Sequence, residues 1–226
     1  MFDTLRKYKR LQETLFLGTL CVVCFAISVF RFIHTHSTMF LFLNWNLFLA
    51  FVPWFFSSLI TIKPQLQQSK IFIFTFLCAW LLFFPNAPYI LTDLFHLRLQ
   101  TSVPMWFDLM LILSFAWTGL LFGFMSLWDI EKALENLIHK KMIPVLSILL
   151  LFLSSFGVYL GRYLRWNSWD ILRDPFGIMN DVTDRFLNPF AYTYTWGMTI
   201  FMGLFLNIMY WSFKLIKQRN DKTMTT

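Results

Sequence analysis

The chain has 226 residues, of which 58% are hydrophobic and 14% are charged. An ordinary soluble domain contains about 45–50% apolar and about 25% charged residues, and a soluble chain of this size cannot hide so much apolar surface from water. Intrinsic disorder is excluded as well, because it requires low hydrophobicity and high net charge. The composition therefore predicts an all-α fold, a polytopic membrane helix bundle.

The net charge of +7 does not indicate a protein that binds nucleic acid. Eight of the 19 basic residues lie near the two ends of the chain, and no nucleic-acid-binding motif accompanies them. Basic tails beside apolar segments are typical of a cytoplasmic membrane face. The expected partner is therefore a lipid bilayer and not a nucleic acid.

Six apolar segments are long enough, or nearly so, to cross the hydrocarbon core, which takes about 20 residues of helix. In chain order they are 14–33, 39–62, 71–84, 107–128, 142–160 and 189–215. The third is the shortest, and it could extend into the Pro-rich stretch that follows it. Together they predict one transmembrane domain over residues 1–226, with basic cytoplasmic tails at 1–13 and 216–226.

The distribution of lysine and arginine predicts the orientation of the six helices. With both termini inside, thirteen of these residues fall in or beside the inner regions and six in the outer regions. This difference favours an N-in, C-in topology. The connection between the third and fourth spans and the connection between the fifth and sixth spans then both lie outside.

Small residues recur within two of the predicted spans. Gly119 and Gly123 are four positions apart in the fourth span, as are Gly157 and Gly161 at the end of the fifth. Residues four apart share one face of a helix, and small side chains there allow the backbones of two helices to approach closely. The spacing therefore predicts close helix–helix contact at both places.

Two further patterns concern the ends of the spans. Asn188 is an N-cap residue type and Pro189 is favoured at the first helical position, so the pair predicts the start of the sixth span. Residues 128–141 keep apolar side chains at helical spacing among charged ones. They predict a cytoplasmic extension of the fourth span or a short interfacial helix.

The first predicted outer loop contains Asp93 and His96, which are three residues apart and share a face if the segment is helical. Such a pair supplies two metal ligands or a histidine base that is oriented by a carboxylate. Alternatively, Thr92 or Asp93 caps a short helix and His96 lies at headgroup depth. Two ligands are too few for a metal site, which would need a further carboxylate from Asp108, Asp170 or Asp174.

The second outer loop contains Arg162 and Arg165, whose guanidinium groups could clamp a phosphate through bidentate hydrogen bonds. The alternative is that they extend to lipid headgroups or pair with Asp170. Asp108 lies about one turn into the fourth span, where a carboxylate is costly unless it is paired or near water. It either complements the helix dipole or points into the bundle and pairs with Arg162 or Arg165.

Three polar residues beside these groups are further candidates for ligand binding. Asn86 and Tyr89 lie in the Pro-rich stretch, where an interrupted helix would expose backbone carbonyls to a water-filled pocket. Asn167 follows the arginines of the second loop. The connection 161–188 is long for a compact bundle, and such connections usually carry structure or function.

The strings NAPYILTDLFHL, PMWFD and GRYLRWNSWD also resemble a known family. It is a family of bacterial integral membrane proteins called domain of unknown function 1361, and the resemblance covers most of the chain from the third span onward. It implies a multi-helix fold in the bacterial cytoplasmic (inner) membrane. It implies no activity, because none is assigned to the family.

Three hypotheses of function follow from these residues. The first is an outer-face site that binds or processes a phosphate-bearing lipid or cell-envelope precursor, with both loops converging on one cavity. The second is a non-catalytic accessory or scaffold protein whose Asp and Arg motifs form structural ion pairs. The third, a small-solute transporter, is least favoured because no acidic residue lies near the centre of a predicted span.

We favour the first hypothesis. Its catalytic candidates are Asp93, His96, Asp108 and Asp170, and its ligand-binding candidates are Asn86, Tyr89, Arg162, Arg165 and Asn167. The sequence leaves open whether the protein is an enzyme, and it assigns no cofactor, metal or oligomeric state.

Overall fold

The protein is described by a computed structural model that covers residues 10–62, 70–97, 103–135 and 137–223. These residues form helices joined by turns, and no strand occurs among them, so the predicted all-α fold is confirmed. The chain divides into two compact units, of which unit 1 extends to Ala133 and unit 2 begins at Leu134.

Unit 1 contains the helices of the first four spans. They are α1 (Leu11–Thr35), α2 (Phe42–Ile62), α3 (Lys70–Phe83), α4 (Asn86–Tyr89) with the 3-10 segment Ile90–His96, and α5 (Met105–Leu134). Unit 2 contains the 3-10 turn Lys140–Met142, α6 (Ile143–Tyr163), α7 (Asp170–Arg173), α8 (Pro175–Leu187) and α9 (Thr193–Thr223). A helix is favoured in the hydrocarbon core of a membrane, because it pairs its own backbone N–H and C=O groups.

Six of these segments are long and apolar enough to cross a membrane, which confirms the six predicted spans. The protein is a multi-pass membrane protein. The fourth span continues as α5 to Leu134, so the first part of the predicted extension over 128–141 is helical, and its cytoplasmic location stays a prediction. The N-in, C-in orientation stays a prediction, and we use "outer end" for the end of the bundle at which α1 finishes and α2 begins.

The interruption expected at the Pro-rich stretch is present only as a two-residue turn, residues 84–85, between α3 and α4. The third span is otherwise helical from Ile71 to His96. The N–H of Ala87 donates to the carbonyl of Phe84, and the N–H of Tyr89 donates to that of Pro85, each at 3.1 Å. Because proline lacks only its own N–H, the neighbouring backbone groups still pair through the stretch.

The start of the sixth span also differs from the prediction. α9 begins at Thr193, four residues after Pro189. Asn188 instead ends α8, since its backbone N–H and its side-chain Nδ2 both donate to Asp184, at 2.9 and 2.8 Å. The same residue types that begin helices also end them when an acceptor lies one turn earlier.

α5 is the buried centre of unit 1, with Leu111, Ile112 and Phe115 inaccessible to solvent. The close packing predicted for Gly119 and Gly123 is confirmed. A Cβ atom on either glycine would lie 2.9 Å from Ala87, touching its carbonyl oxygen from Gly119 and its Cβ from Gly123. The equivalent contact of the glycine pair in α6 stays a prediction.

Replacing Gly119 with alanine should therefore destabilise unit 1. The added methyl would also lie 2.9 Å from Ile90 Cδ1, and the Ala87 backbone has little room to move. Overpacking of this kind costs about 1–3 kcal/mol. We expect G119A to unfold earlier than wild type in a detergent-based thermal assay. The matched control is Gly18→Ala on α1, which has no atom within 4 Å of the new Cβ and should be neutral or slightly stabilising.

Candidate functional site

The Asp93 carboxylate and the His96 ring lie side by side at the outer end of the third span. Asp93 is buried and accepts a hydrogen bond from Asn46 Nδ2 of α2 at 2.8 Å. His96 Nδ1 lies 3.9 Å from Asp93 Oδ1 and is buried, with no hydrogen-bond partner in the described part of the chain. The His96 side chain as a whole is 41% exposed. One side of the imidazole therefore faces a buried carboxylate while the other is accessible.

The imidazole is also held by an aromatic contact. The ring of Phe42, at the start of α2, lies 5.3 Å from the His96 ring between centroids. Asn46 is four residues further along α2, so one face of this helix contacts both members of the Asp93–His96 pair. The pair thus has support from a second helix and is more than a local i, i+3 contact.

The expectation that Thr92 or Asp93 caps a short helix is wrong. The helical segment begins earlier, at Asn86, and no side chain caps its start or the start of the 3-10 segment. The Thr92 hydroxyl instead donates to the carbonyl of Tyr89 at 2.6 Å. Asp93 lies inside the helical segment, where its carboxylate is directed towards α2 and His96.

Asn86 and Tyr89, the ligand-binding candidates of this loop, are half-buried in α4. Asn86 Nδ2 donates to the carbonyl of Phe83 at 2.9 Å, which joins α4 to the end of α3. The Tyr89 carbonyl accepts the hydroxyl of Thr92. These contacts stabilise the turn before Asp93, and the ligand-binding role of both residues stays a prediction.

Asp108 is fully buried in the first turn of α5 and forms an ion pair with Arg31 near the end of α1. Arg31 Nε donates to Oδ1 at 2.6 Å and Nη2 donates to Oδ2 at 3.2 Å, while the Phe40 ring lies 4.5 Å from the guanidinium. Asp108 therefore points into the bundle. Its partner is Arg31, where Arg162 or Arg165 was expected, because the outer end of α1 packs beside the start of α5.

A second buried ion pair lies at the other end of α1, and sequence reasoning missed it. Arg10 donates to both oxygens of Asp129 on α5, at 2.9 and 2.7 Å. Arg10 Nη2 also donates to Ser58 at 2.5 Å, and Ser57 donates to Asp129 at 2.9 Å. Glu13 lies 2.9 Å from Arg10 Nη1. The residue expected in a solvated basic tail is instead buried among polar groups of three helices.

In unit 2 the end of α6 positions the two arginines of the second loop. Arg162 is half-buried in the last turn, whereas Arg165 is exposed just beyond it, with a left-handed φ of 61°. The N–H groups of Leu164 and Trp166 both return to the carbonyl of Leu160, at 3.2 Å. Glycine usually occupies a left-handed position after a helix, because an L side chain there costs about 1–2 kcal/mol. The turn thus holds an exposed arginine where the backbone favours glycine.

Asp170 and Asn167 form one local turn at the start of α7. The Asp170 carboxylate accepts the backbone N–H of Asn167 at 2.8 Å and its side-chain Nδ2 at 3.0 Å. These hydrogen bonds, the backbone one first, lower the pKa of the Asp170 carboxyl below its usual range. The partner of Asp170 in this turn is therefore an amide, where an arginine was the expected alternative.

A group of polar contacts joins this turn to α8, and the sequence did not predict these contacts. Trp166 Nε1 donates to Asp181 Oδ2 at 2.7 Å, and Arg185 Nη1 donates to Asp181 Oδ1 at 3.0 Å. Arg185 is buried, and its guanidinium lies 4.8 Å from the centre of the Tyr192 ring. The long connection predicted to carry structure therefore does so, in the form of α7 and α8.

The structure gathers part of the predicted site within unit 1 and part within unit 2. Asp93 and His96 meet, and Asp170 meets Asn167, whereas Asp108 is engaged by Arg31. The convergence of the two outer loops on one cavity stays a prediction. Across residues 10–62, 70–97, 103–135 and 137–223, no three His, Cys, Asp or Glu side chains are placed to hold a metal ion.

Comparison with known proteins places the chain in a family. A family model described as "Protein of unknown function (DUF1361)" matches residues 45–209, which is well over half of the chain. The chain belongs to the DUF1361 family. The DUF1361 match begins within α2 and ends within α9, so it contains Asp93, His96 and Asp108 but not α1. No curated protein and no solved structure matches the chain.

Proposed function

We propose that this protein binds a phosphate-bearing lipid or cell-envelope precursor at the extracytoplasmic face of a bacterial cytoplasmic membrane, and that His96 contacts the phosphate. The observation that carries the proposal is the Asp93–His96 pair: a buried carboxylate beside one ring nitrogen of a histidine whose side chain is 41% exposed. A carboxylate in this position orients the ring and leaves the other nitrogen facing the ligand. When the ring carries both protons, that nitrogen donates its N–H to a phosphate oxygen.

The depth of the pair suits an amphipathic ligand. His96 ends the third span, which under the proposal puts it where the apolar core gives way to the headgroup region, and Phe95 beside it is exposed. A lipid phosphate lies at this depth, with its acyl or prenyl chain along the helices. A histidine oriented by a carboxylate is also the arrangement of a general acid or base, so Asp93 and His96 remain the catalytic candidates.

Arg165 supports an anionic ligand at the second loop. Its guanidinium is exposed and has no ion-pair or hydrogen-bond partner within the described part of unit 2. A strained backbone conformation that is kept at a charged, unpaired residue is a reason to look for a function of that residue. Under the proposal Arg165, together with Arg162, binds phosphate through its planar guanidinium.

The proposal is tested by lipid binding to the purified protein in neutral detergent, measured by native mass spectrometry. The probes are phosphatidic acid, phosphatidylglycerol and, as the phosphate-free counterpart, diacylglycerol. We expect phosphatidic acid to bind more tightly than diacylglycerol. We also expect His96→Gln to weaken the binding of phosphatidic acid about tenfold, since a hydrogen bond to a charged group contributes about 1.5–3 kcal/mol. Thermal stability should be unchanged, because the His96 side chain is partly exposed.

The matched control is His34→Gln, which changes an exposed histidine at the same end of unit 1. His34 stacks on Phe30, with ring centroids 5.9 Å apart, and should leave lipid binding unaltered. Equal affinity of wild type and H96Q for phosphatidic acid would contradict the assignment of His96. Equal affinity of wild type for phosphatidic acid and diacylglycerol would contradict a phosphate site altogether.

The second candidate function is that of a non-catalytic accessory or scaffold protein. It is favoured by the two buried ion pairs, Arg31–Asp108 and Arg10–Asp129, which connect α1 to α5 at both ends. Under this hypothesis substitutions in the ion pairs lower the amount of folded protein, and substitutions of His96 have no effect on lipid binding.

A further inference from the structure

α8 has an inverted distribution of polar and apolar side chains. The face turned towards the rest of unit 2 carries Asp181 and the buried Arg185. The opposite face carries large apolar side chains that are exposed, namely Phe176, Met179 and Leu187. Phe186 is also exposed but lies at the edge of this face, where its ring contacts Phe156 and Trp196. A helix on a water-facing surface shows the reverse arrangement, with its apolar side inward. The exposed face of α8 is therefore poorly suited to contact with water.

The apolar surface continues on both sides of α8. Leu172 in α7 is 87% exposed, and Phe190, in the turn that leads to α9, is 93% exposed. Beyond Phe190, α9 itself exposes Phe201 and Ile208 along its transmembrane span. The Phe186 ring of α8 contacts Trp196 of α9, with centroids 5.0 Å apart, so the apolar face of α8 adjoins the apolar surface of the sixth span.

The ends of the neighbouring spans define the depth of α8. Tyr163 ends α6 and Tyr194 lies in the first turn of α9, and their hydroxyl groups are 2.7 Å apart. Both rings are exposed, as is Trp169, and exposed Tyr and Trp residues concentrate at the membrane–water interface. The connection that contains α8 therefore begins and ends at interface depth.

From these observations we infer that α8 is an interfacial helix that inserts its Phe176, Met179 and Leu187 face into the headgroup–acyl boundary of the bilayer. Its occupant is lipid: the apolar face adjoins the apolar surface of the sixth span, and the charged face is satisfied within the protein. Helices of this type lie in the membrane plane with the apolar face about 5–10 Å below the headgroups. This surface is separate from the His96 site, and the inference does not depend on the proposed function.

The inference is tested with nitroxide labels on the full chain in vesicles of phosphatidylcholine and phosphatidylglycerol at three to one. Single cysteines are introduced by Met179→Cys and, at the polar edge of the exposed face, by Asn180→Cys, after Cys21, Cys24 and Cys78 are replaced by alanine. We expect the label at 179 to collide far more with oxygen than with a water-soluble nickel chelate. The label at 180, about 100° around the helix, should collide more with the nickel chelate than that at 179.

Two results would overturn the inference. Free access of the nickel chelate to the label at 179 would mean that the face contacts water. An immobilised label at 179, protected from both reagents, would mean that a protein partner or a second copy of the chain covers it. If M179C does not fold, Leu172→Cys replaces it, because that side chain is 87% exposed in the adjoining α7 and its substitution removes no packing.

Discussion

Replacement of Asp108 by asparagine should destabilise the protein by about 3–5 kcal/mol, because it leaves the buried Arg31 guanidinium without its counter-charge. Arg31→Met should cost a similar amount, since it leaves the Asp108 carboxylate buried and unpaired. The two losses should be nearly equal because Arg31 supplies a hydrogen bond to each carboxylate oxygen. Equilibrium unfolding in mixed micelles with increasing dodecyl sulfate measures both.

The double variant Arg31→Met with Asp108→Leu separates a structural from a functional role of the pair. When a buried ion pair is replaced by apolar residues of similar volume, stability is often unchanged or improved. We therefore expect the double variant to recover most of the stability lost in each single variant and to bind phosphatidic acid as wild type does. A double variant as unstable as the single ones would show that the charges have partners other than each other.

The membrane architecture could be predicted from the sequence because each of its determinants is local. A run of about 20 apolar residues is sufficient for a span, and the four-residue spacing of Gly119 and Gly123 is sufficient for a small helix face. Asp93 and His96 are equally local, since they are three residues apart in one helical segment. Their support by Asn46, which is 47 positions away, depends on the packing of α2 and could not be predicted.

The ion pairs were missed because their members are far apart in the chain. Arg31 and Asp108 are separated by 77 positions, and Arg10 and Asp129 by 119. The position of Arg31 was itself an indication. It lies inside the predicted span 14–33, where an ionisable residue needs a charged or polar partner. Asp108 needs a partner for the same reason, but the sequence alone does not identify Arg31 as that partner.

The ion pairs give α1 a structural role, although α1 lies outside the region that matches the family. The DUF1361 match begins at residue 45, after α1, yet it includes both Asp108 and Asp129. α1 carries Arg31, and Arg10 immediately precedes it, so the positive charges for both buried acids come from outside the matched region. The matched helices therefore depend on this N-terminal segment for charge balance within unit 1.

The Arg10–Asp129 pair should respond to substitution less symmetrically than the Arg31–Asp108 pair. Arg10→Met leaves the Asp129 carboxylate with the Ser57 hydroxyl as a donor but without a cation, at a cost of about 3–5 kcal/mol. Asp129→Asn leaves Arg10 with Glu13 at 2.9 Å and Ser58 at 2.5 Å, so its charge stays compensated. We expect D129N to be clearly more stable than R10M when both are unfolded in the same mixed micelles.

Glu13→Gln provides the control for this asymmetry. Glu13 is the second carboxylate that contacts Arg10. In the D129N background its loss should leave the Arg10 charge uncompensated and lower the stability towards that of R10M. In the wild-type background the same change should have a small effect, because Asp129 still accepts two hydrogen bonds from Arg10. If E13Q costs the same free energy in both backgrounds, the two carboxylates do not share the Arg10 charge. The tolerance of D129N would then need another explanation.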